Sequence, residues 1–302
     1  MDNVIQERWG KDKVLFEEKV TELGGEVIIE IAEGEAVNQF VQAEKLIEEG
    51  IDILVVVPVD LNAAAKIVEL AHNNEIPVIS YDRLIKNCDL DFYISFDNVE
   101  VGSLQADYIT KVCPSGNYVL IEGPVSDNNS FLLKLGHMNV LQPLVEHGDI
   151  NIVYEQFVDK WSEEEGFRHI NECLKKSGKN IDAVIAANDD LAGGAIRAIK
   201  ENSLEGKVFV SGMDAEAAAC QRILNEEQTM TVYKPIEAIA TVAAKIAIQF
   251  AEEGCKNNYN MTVNNGNKLV PAVLLPAMVV NKENIKMTVI ADGYLEENKV
   301  FQ

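Results

Sequence analysis

Asp82 and Arg83 close the stretch Pro77-Val-Ile-Ser-Tyr-Asp-Arg, a short apolar run that stops on a carboxylate and a guanidinium. Flanked by helical patterns, such a run reads as a buried parallel strand. In open α/β sheets ligands bind just beyond the carboxyl ends of such strands. An adjacent Asp and Arg there can accept from and donate to neighbouring hydroxyls. The plainer alternative is a surface ion pair at a strand exit. The second half carries a counterpart. When Ile51-Asp52 is set against Ile181-Asp182, Asp82 falls opposite Asp214 to within two residues. Arginine and lysine neighbours would hold two such aspartates ionised, which suits binding better than proton transfer. The phosphate-loop, dinucleotide, nucleophile-elbow and zinc-helix signatures (G-x-x-x-x-G-K-[ST], G-x-G-x-x-G, G-x-S-x-G, H-E-x-x-H) are absent from the sequence.

Composition narrows the classes further. The chain has 302 residues, 47% hydrophobic, with a net charge of −23. That length favours two domains, and the acidity disfavours nucleic acid and anionic lipid as partners. No apolar run reaches the length of a membrane span. Met1-Asp2-Asn3-Val4 has neither a basic n-region nor an apolar h-region, so the chain is expected either to be cytosolic or to have lost an export segment. The cysteines (88, 113, 173, 220, 255) are scattered and odd in number, against a disulfide framework or zinc knuckle. His72, His137, His147 and His169 show no metal-ligand spacing.

The elements that must position the aspartates alternate. The first half reads as helix 8–23, strand 26–31, helix 36–49, strand 52–57, helix 61–74, strand 76–80 and a short strand 91–95. The second half repeats the order with strand 117–121, a mostly helical 128–147, strand 150–154, helix 162–176, strand 181–185, helix 190–202 and strand 207–211. A strand-like 229–235 and a long helix from Ile236 to about Glu253 follow. Two strand–helix series, each ending in an aspartate, predict two doubly wound parallel-sheet α/β lobes. One element is missing: the second half has a strand before its first helix, where the first half offers only Asn3-Val4-Ile5. In such sheets that strand is internal, so the expectation is a truncated chain or another chain along an open edge.

Several motifs then converge: Glu7-Arg8-Trp9-x-Lys11-Asp12, Tyr81-Asp82-Arg83, Tyr93-Ile-Ser-Phe-Asp97-Asn98, Asp127-Asn128-Asn129, Ala187-Asn188-Asp189, Ser211-Gly212-Met213-Asp214 and Thr229-Met-Thr-Val-Tyr-Lys234-Pro235. Together they resemble the D-xylose-binding proteins of bacterial sugar uptake, within the type I (ribose/galactose-like) periplasmic-binding family. The resemblance runs from about Arg8 to near the C-terminus. It implies two lobes, 1–98 plus about 236–266 and about 99–235 plus 267–302, joined by a three-segment hinge and closing on one pentose. It also implies an extracytoplasmic location, no enzymatic activity and no cofactor. Carried over by position, the ligand set is Arg8, Trp9, Asp82, Arg83, Asn129, Trp161, Asn188, Asp214 and Lys234. The residue types agree, because indoles can cover the two apolar faces of a pyranose while charged and amide groups satisfy its hydroxyls.

Each of these residues also has a structural alternative. Trp9 and Trp161, the only tryptophans, could be lids on a helix–sheet junction. Asn188 could be a helix cap, Asp214 a turn residue, and Lys234 a marker of the crossing into the long helix. Of Asn128 and Asn129, one could cap while the other faces the sugar. Asp97 and Asn98 read as hinge and cap. Under the resemblance the partner is the permease of an ABC importer or the outer domain of a sensor histidine kinase. The competing classes are a LacI-type regulator core, which needs a helix-turn-helix this chain lacks, and a sugar-modifying enzyme.

Overall fold

A computed structural model describes residues 1–2, 7–254, 259 and 261–301, apart from the side chain of Ser177. The chain divides into two compact units. Unit 1 comprises 1–96, 126–128 and 235–275; unit 2 comprises 97–125, 129–234 and 276–302. Elements are numbered in chain order.

Unit 1 opens with helix α1 (Glu7–Glu22), whose buried face carries Arg8, Trp9, Asp12 and Val20. Helix α2 (Ala36–Glu48), strand β1 (Leu54–Val56), helix α3 (Ala65–His72), strand β2 (Val78–Tyr81) and strand β3 (Phe92–Phe96) follow. The chain returns to this unit as helix α9 (Ile236–Glu253) and strands β9 (Thr262–Asn264) and β10 (Leu269–Leu275). Sheet order is β1-β2-β3-β10-β9, parallel except for the β10–β9 pair. β2 and β3 are buried at every position, as strands covered on both faces must be.

Unit 2 contains helix α4 (Asn98–Val112), strand β4 (Gly116–Glu122), helix α5 (Asn128–His147), strand β5 (Ile150–Phe157), helix α6 (Glu163–Ser177) and strand β6 (Ala183–Ala186). Helix α7 (Asp189–Glu201), strand β7 (Phe209–Met213), helix α8 (Ala217–Leu224), strand β8 (Met230–Tyr233), strand β11 (Met278–Val280) and helix α10 (Glu297–Val300) complete it. Its order is β11-β8-β7-β6-β4-β5, with only the β11–β8 pair antiparallel. Asp97, read as hinge, is the residue that caps α4, its Oδ1 accepting from the Val99 and Glu100 amides at 3.1 Å, and Asn98, read as the cap, is the first residue of the helix. The helices press closely where glycines allow it: a Cβ on Gly194 of α7 would strike the Glu163 carbonyl of α6.

The alternation is therefore present twice, but the sequence reading needs correction, beginning with strands β9, β10 and β11, which it did not predict. Residues 26–31 lie in no ladder of the described structure, although their pattern predicts a strand. A strand forms only where a neighbour pairs with it, and the reason is local: β1 is a terminal strand among the described residues. The expected strand 52–57 accordingly shrinks to three residues. Helix α8, two turns long, was not predicted, since so short an element leaves little periodic signal. Asn3-Val4-Ile5 and Cys255 lie outside the described residues.

Candidate functional site

In unit 1 four of the predicted residues form one linked cluster at the carboxyl end of β2. Arg8 is 4% exposed and Asp82 2% exposed. The Arg8 guanidinium pairs through Nη2 with Asp82 and through Nε with Asp12 Oδ2 at 3.0 Å. Tyr81 donates its hydroxyl to the other Asp12 oxygen at 2.5 Å. Burial raises the Asp12 carboxyl above its ordinary value, with Arg8 opposing the shift, and raises the Tyr81 phenol as well. Arg83 pairs with Asp2 at 2.5 Å and Asp127 at 2.8 Å and donates to the Pro58 carbonyl. Both guanidiniums lie over Trp9, at 4.5 and 5.4 Å from its centroid. The surface ion-pair reading of Asp82-Arg83 is thus corrected: both side chains are buried, and they pair with Arg8 and with Asp2 and Asp127 respectively.

The backbone explains why Asp82 can aim its carboxylate this way. Its φ is +63°, in the left-handed region, where Asp is one of the few tolerated side chains. Its amide donates to the Ile94 carbonyl at 2.7 Å, and its own carbonyl accepts from Ser95 Oγ at 2.6 Å and Tyr93 Oη at 3.2 Å. Strand β3 therefore holds the turn in a strained conformation of the kind that collects at ligand clamps.

Unit 2 repeats the device. Asp214 follows β7 with φ +98°, its amide donating to the Val232 carbonyl of β8 at 2.8 Å and its carbonyl accepting from Tyr294 Oη at 3.1 Å. Lys234, 3% exposed, pairs with Asp214 at 2.9 Å, so it is more than a marker of the chain crossing. Asn188, just after β6, does cap α7, its Oδ1 accepting from the Leu191 amide at 3.0 Å. Asn129 is separated from Asn128 by its partner: its Oδ1 accepts from Asn98 Nδ2 at 3.0 Å. Trp161, between β5 and α6, packs on the unit 2 core. Its ring lies where a Cβ on Gly123 would project, alongside Ser130 Oγ.

Reasoning from the sequence placed the ligand candidates at strand ends but assigned no role to the carboxylates behind them. Asp12 and Asp127 stood inside quoted motifs, and the Arg8–Asp12 spacing of four was the available signal. Asp189 was also missed. It is fully buried and accepts from Gln228 Nε2 at 2.8 Å, Thr231 Oγ1 at 2.9 Å and the Glu216 amide at 3.1 Å. Burial pushes its carboxyl up to about 7, with Arg222 opposing. Among the described residues no group of three or more His, Cys, Asp or Glu side chains is placed to hold a metal, and no helix is long and apolar enough to cross a membrane.

Comparison with known proteins places this geometry. The family model for the periplasmic binding protein domain matches residues 4–255. The chain belongs to that family. This binding protein is 44% identical over 301 residues to the D-xylose-binding periplasmic protein of Haemophilus influenzae, covering 100% of this chain and 90% of the relative. It is 43% identical to the protein of the same name from Escherichia coli, covering 99% and 91%. Among solved structures it resembles a carbohydrate transporter solute-binding protein from Chloroflexus aurantiacus in complex with D-glucose, with a TM-score of 0.92 and 28% identity over 99% of this chain and 96% of that one. A solute-binding protein from Clostridium phytofermentans with bound β-D-glucose gives the same TM-score at 27% identity, over 99% and 98%. The fold is that of type I periplasmic binding proteins, and the chain is a binding protein rather than an enzyme.

Proposed function

We propose that this protein is an extracytoplasmic receptor for D-xylose that delivers the sugar to an ABC importer. The observation that carries the reading is its 44% and 43% identity, over essentially the whole chain, to two D-xylose-binding periplasmic proteins. The two mirrored half-sites support it. Each offers one indole and one aspartate held at positive φ beside a cation. Arg8, Trp9, Asp82 and Arg83 are the ligand residues of unit 1, and Asn129, Trp161, Asn188, Asp214 and Lys234 those of unit 2. The indoles cover the ring faces, and the buried charged groups take the hydroxyls, so an analogue lacking one hydroxyl leaves a polar group unpaired at about 1–3 kcal/mol. A membrane sensor kinase that reads the same sugar-bound state is the second partner consistent with this chemistry.

Isothermal titration with D-xylose, L-arabinose, D-ribose and D-glucose tests the proposal. One-to-one binding of D-xylose is expected, tighter than for the other three sugars. Trp161→Ala and Asp214→Ala should each weaken it at least tenfold, about 1.4 kcal/mol. D-glucose is the discriminating competitor, because the two structural relatives hold it. Tighter binding of D-glucose than of D-xylose would overturn the assignment.

A further inference from the structure

Beneath helices α4 and α5 the unit 2 sheet is covered by an apolar layer that includes Ile109, Leu120, Ala183 and Ile185. At the carboxyl ends of the strands that layer turns polar. Gln105 of α4, Glu122 at the end of β4 and His137 of α5 are each 0% exposed there and form one chain of hydrogen bonds. The ladder between β6 and β7 ends at the Ile185–Ser211 pair. One residue further along each strand, the carbonyls of Ala186 and Gly212 both accept from Gln105 Nε2, at 2.9 Å each. One side-chain amide thus bridges two strands where their own pairing stops.

The amide can do this in one orientation. Its nitrogen, with two hydrogens, must face the carbonyls, which leaves Oε1 as an acceptor. His137 holds it so. The ring Nε2 lies 2.9 Å from Gln105 Oε1 and must carry the hydrogen of that bond, since the oxygen has none to give. The ring Nδ1 lies 3.1 Å from Glu122 Oε1, which fixes the imidazole from its other side. Gly212 is backed as well: a Cβ there would strike Asp189 Oδ1. Polar groups in an otherwise apolar layer cost desolvation, and what a bonded chain of them supplies is a single fixed arrangement.

We propose that Gln105 is a positioning residue for the unit 2 ligand groups. It sets the carboxyl ends of β6 and β7, and with them Asn188 and Asp214, while His137 and Glu122 fix its amide. Asn188 lies two residues beyond Ala186 and Asp214 two beyond Gly212, so a shift of either carbonyl moves a ligand group directly. Asp214 stands at φ +98° and Ala215 after it at +53°, a turn that persists only when its surroundings hold it. The same face of α4 serves a third residue of the ligand set. Asn98, seven residues and about two turns before Gln105, donates to Asn129 Oδ1 at 3.0 Å. Filling the space alone would not require an amide, because a methionine of the same length would serve. This role rests on the D-xylose reading.

The test is calorimetric titration of D-xylose into the full chain and its Gln105→Met, Gln105→Glu and Ile109→Ala variants, with melting temperature and amide exchange measured on each without sugar. Gln105→Met keeps the length and loses every bond. Gln105→Glu keeps the shape and, when ionised, offers the two carbonyls no hydrogen. Ile109→Ala, one turn along α4 in the apolar layer, is the packing control. Both Gln105 variants should bind D-xylose roughly tenfold more weakly. Their Ala187 and Asp214 amides, bonded to the Ile121 and Val232 carbonyls, should exchange several-fold faster while those of 118–121 stay unchanged. Ile109→Ala should melt lower with its affinity unchanged. Native affinity in a folded Gln105 variant would overturn the proposal. So would an equal loss of affinity in Ile109→Ala, or failure of both Gln105 variants to fold, since either makes Gln105 a packing residue. If the native chain itself binds no D-xylose, the receptor reading falls, and exchange at Ala187 and Asp214 still decides whether Gln105 sets the strand ends.

Discussion

Gly123 and Gly194 show how the same atom, a Cβ, has different consequences at two positions. At Gly123 the added methyl would displace the Trp161 ring, a side chain that can move. At Gly194 it would meet the Glu163 main-chain carbonyl, which can yield only if a whole helix shifts. Gly123→Ala should therefore cost at least tenfold in D-xylose affinity while the melting temperature of the free protein changes little. Gly194→Ala should lower the melting temperature by several degrees and leave the affinity of the folded protein unchanged. Calorimetry on both variants checks the pair, and unaltered sugar affinity in Gly123→Ala would remove Trp161 from the ligand set. Asp189 sets a second expectation. Its carboxyl is pushed up to about 7 in the fold against 3.8 ordinarily, so between those values the folded state binds more protons than the unfolded chain. Stability contributed by that proton is present at acid pH and lost as pH rises through about 7. Glu216, pushed up to about 9 by burial and by Asp190, Asp189 and Asp214, acts with the same sign. His169, lowered by burial, acts oppositely below its ordinary 6.5. Melting temperatures at pH 5 and pH 8 should fall more steeply for the native chain than for Asp189→Asn, whereas parallel slopes would show that Asp189 does not titrate in this window.

At the scale of elements, the two sheets make an internal control. β6 is paired on both sides, by β4 and β7, and β1 on one side only among the described residues. Local opening follows the number of flanking ladders, so the Leu54–Val56 amides should exchange at least tenfold faster than those of Ala183–Ala186. Mass-spectrometric exchange on the sugar-free protein decides it, and equal rates would mean that the β1 edge is protected by other means. Residues 26–31 teach the same lesson about legibility. The apolar run Glu-Val-Ile-Ile-Glu-Ile was read as a strand and lies in no ladder of the described structure, because a ladder needs a second backbone and no local pattern reports whether one is there. Helices α1, α2, α5 and α9, by contrast, came within a residue or two of their observed bounds, because their signal is carried by their own periodicity.

For the whole molecule, the repeat was visible in the sequence because each half must bury parallel strands beneath helices, and that requirement writes the same apolar runs and turn residues twice. The absence of nucleotide or hydrolase signatures pointed away from catalysis, in accord with a family of binding proteins. What the sequence by itself determined was the alternation, the family resemblance and the placing of Asp82 and Asp214 at strand ends, all of them consequences of local pattern. Only the tertiary structure decided that Asp82 faces Arg8 rather than its neighbour Arg83, and that Asp2 and Asp127 hold that arginine. It likewise decided that both aspartates turn at positive φ under a bond to the next strand. Those are pairings between residues up to 81 positions apart, as from Asp2 to Arg83. Pairing at such separations is set by how helices and sheets pack, and neither propensity nor spacing along the chain encodes it.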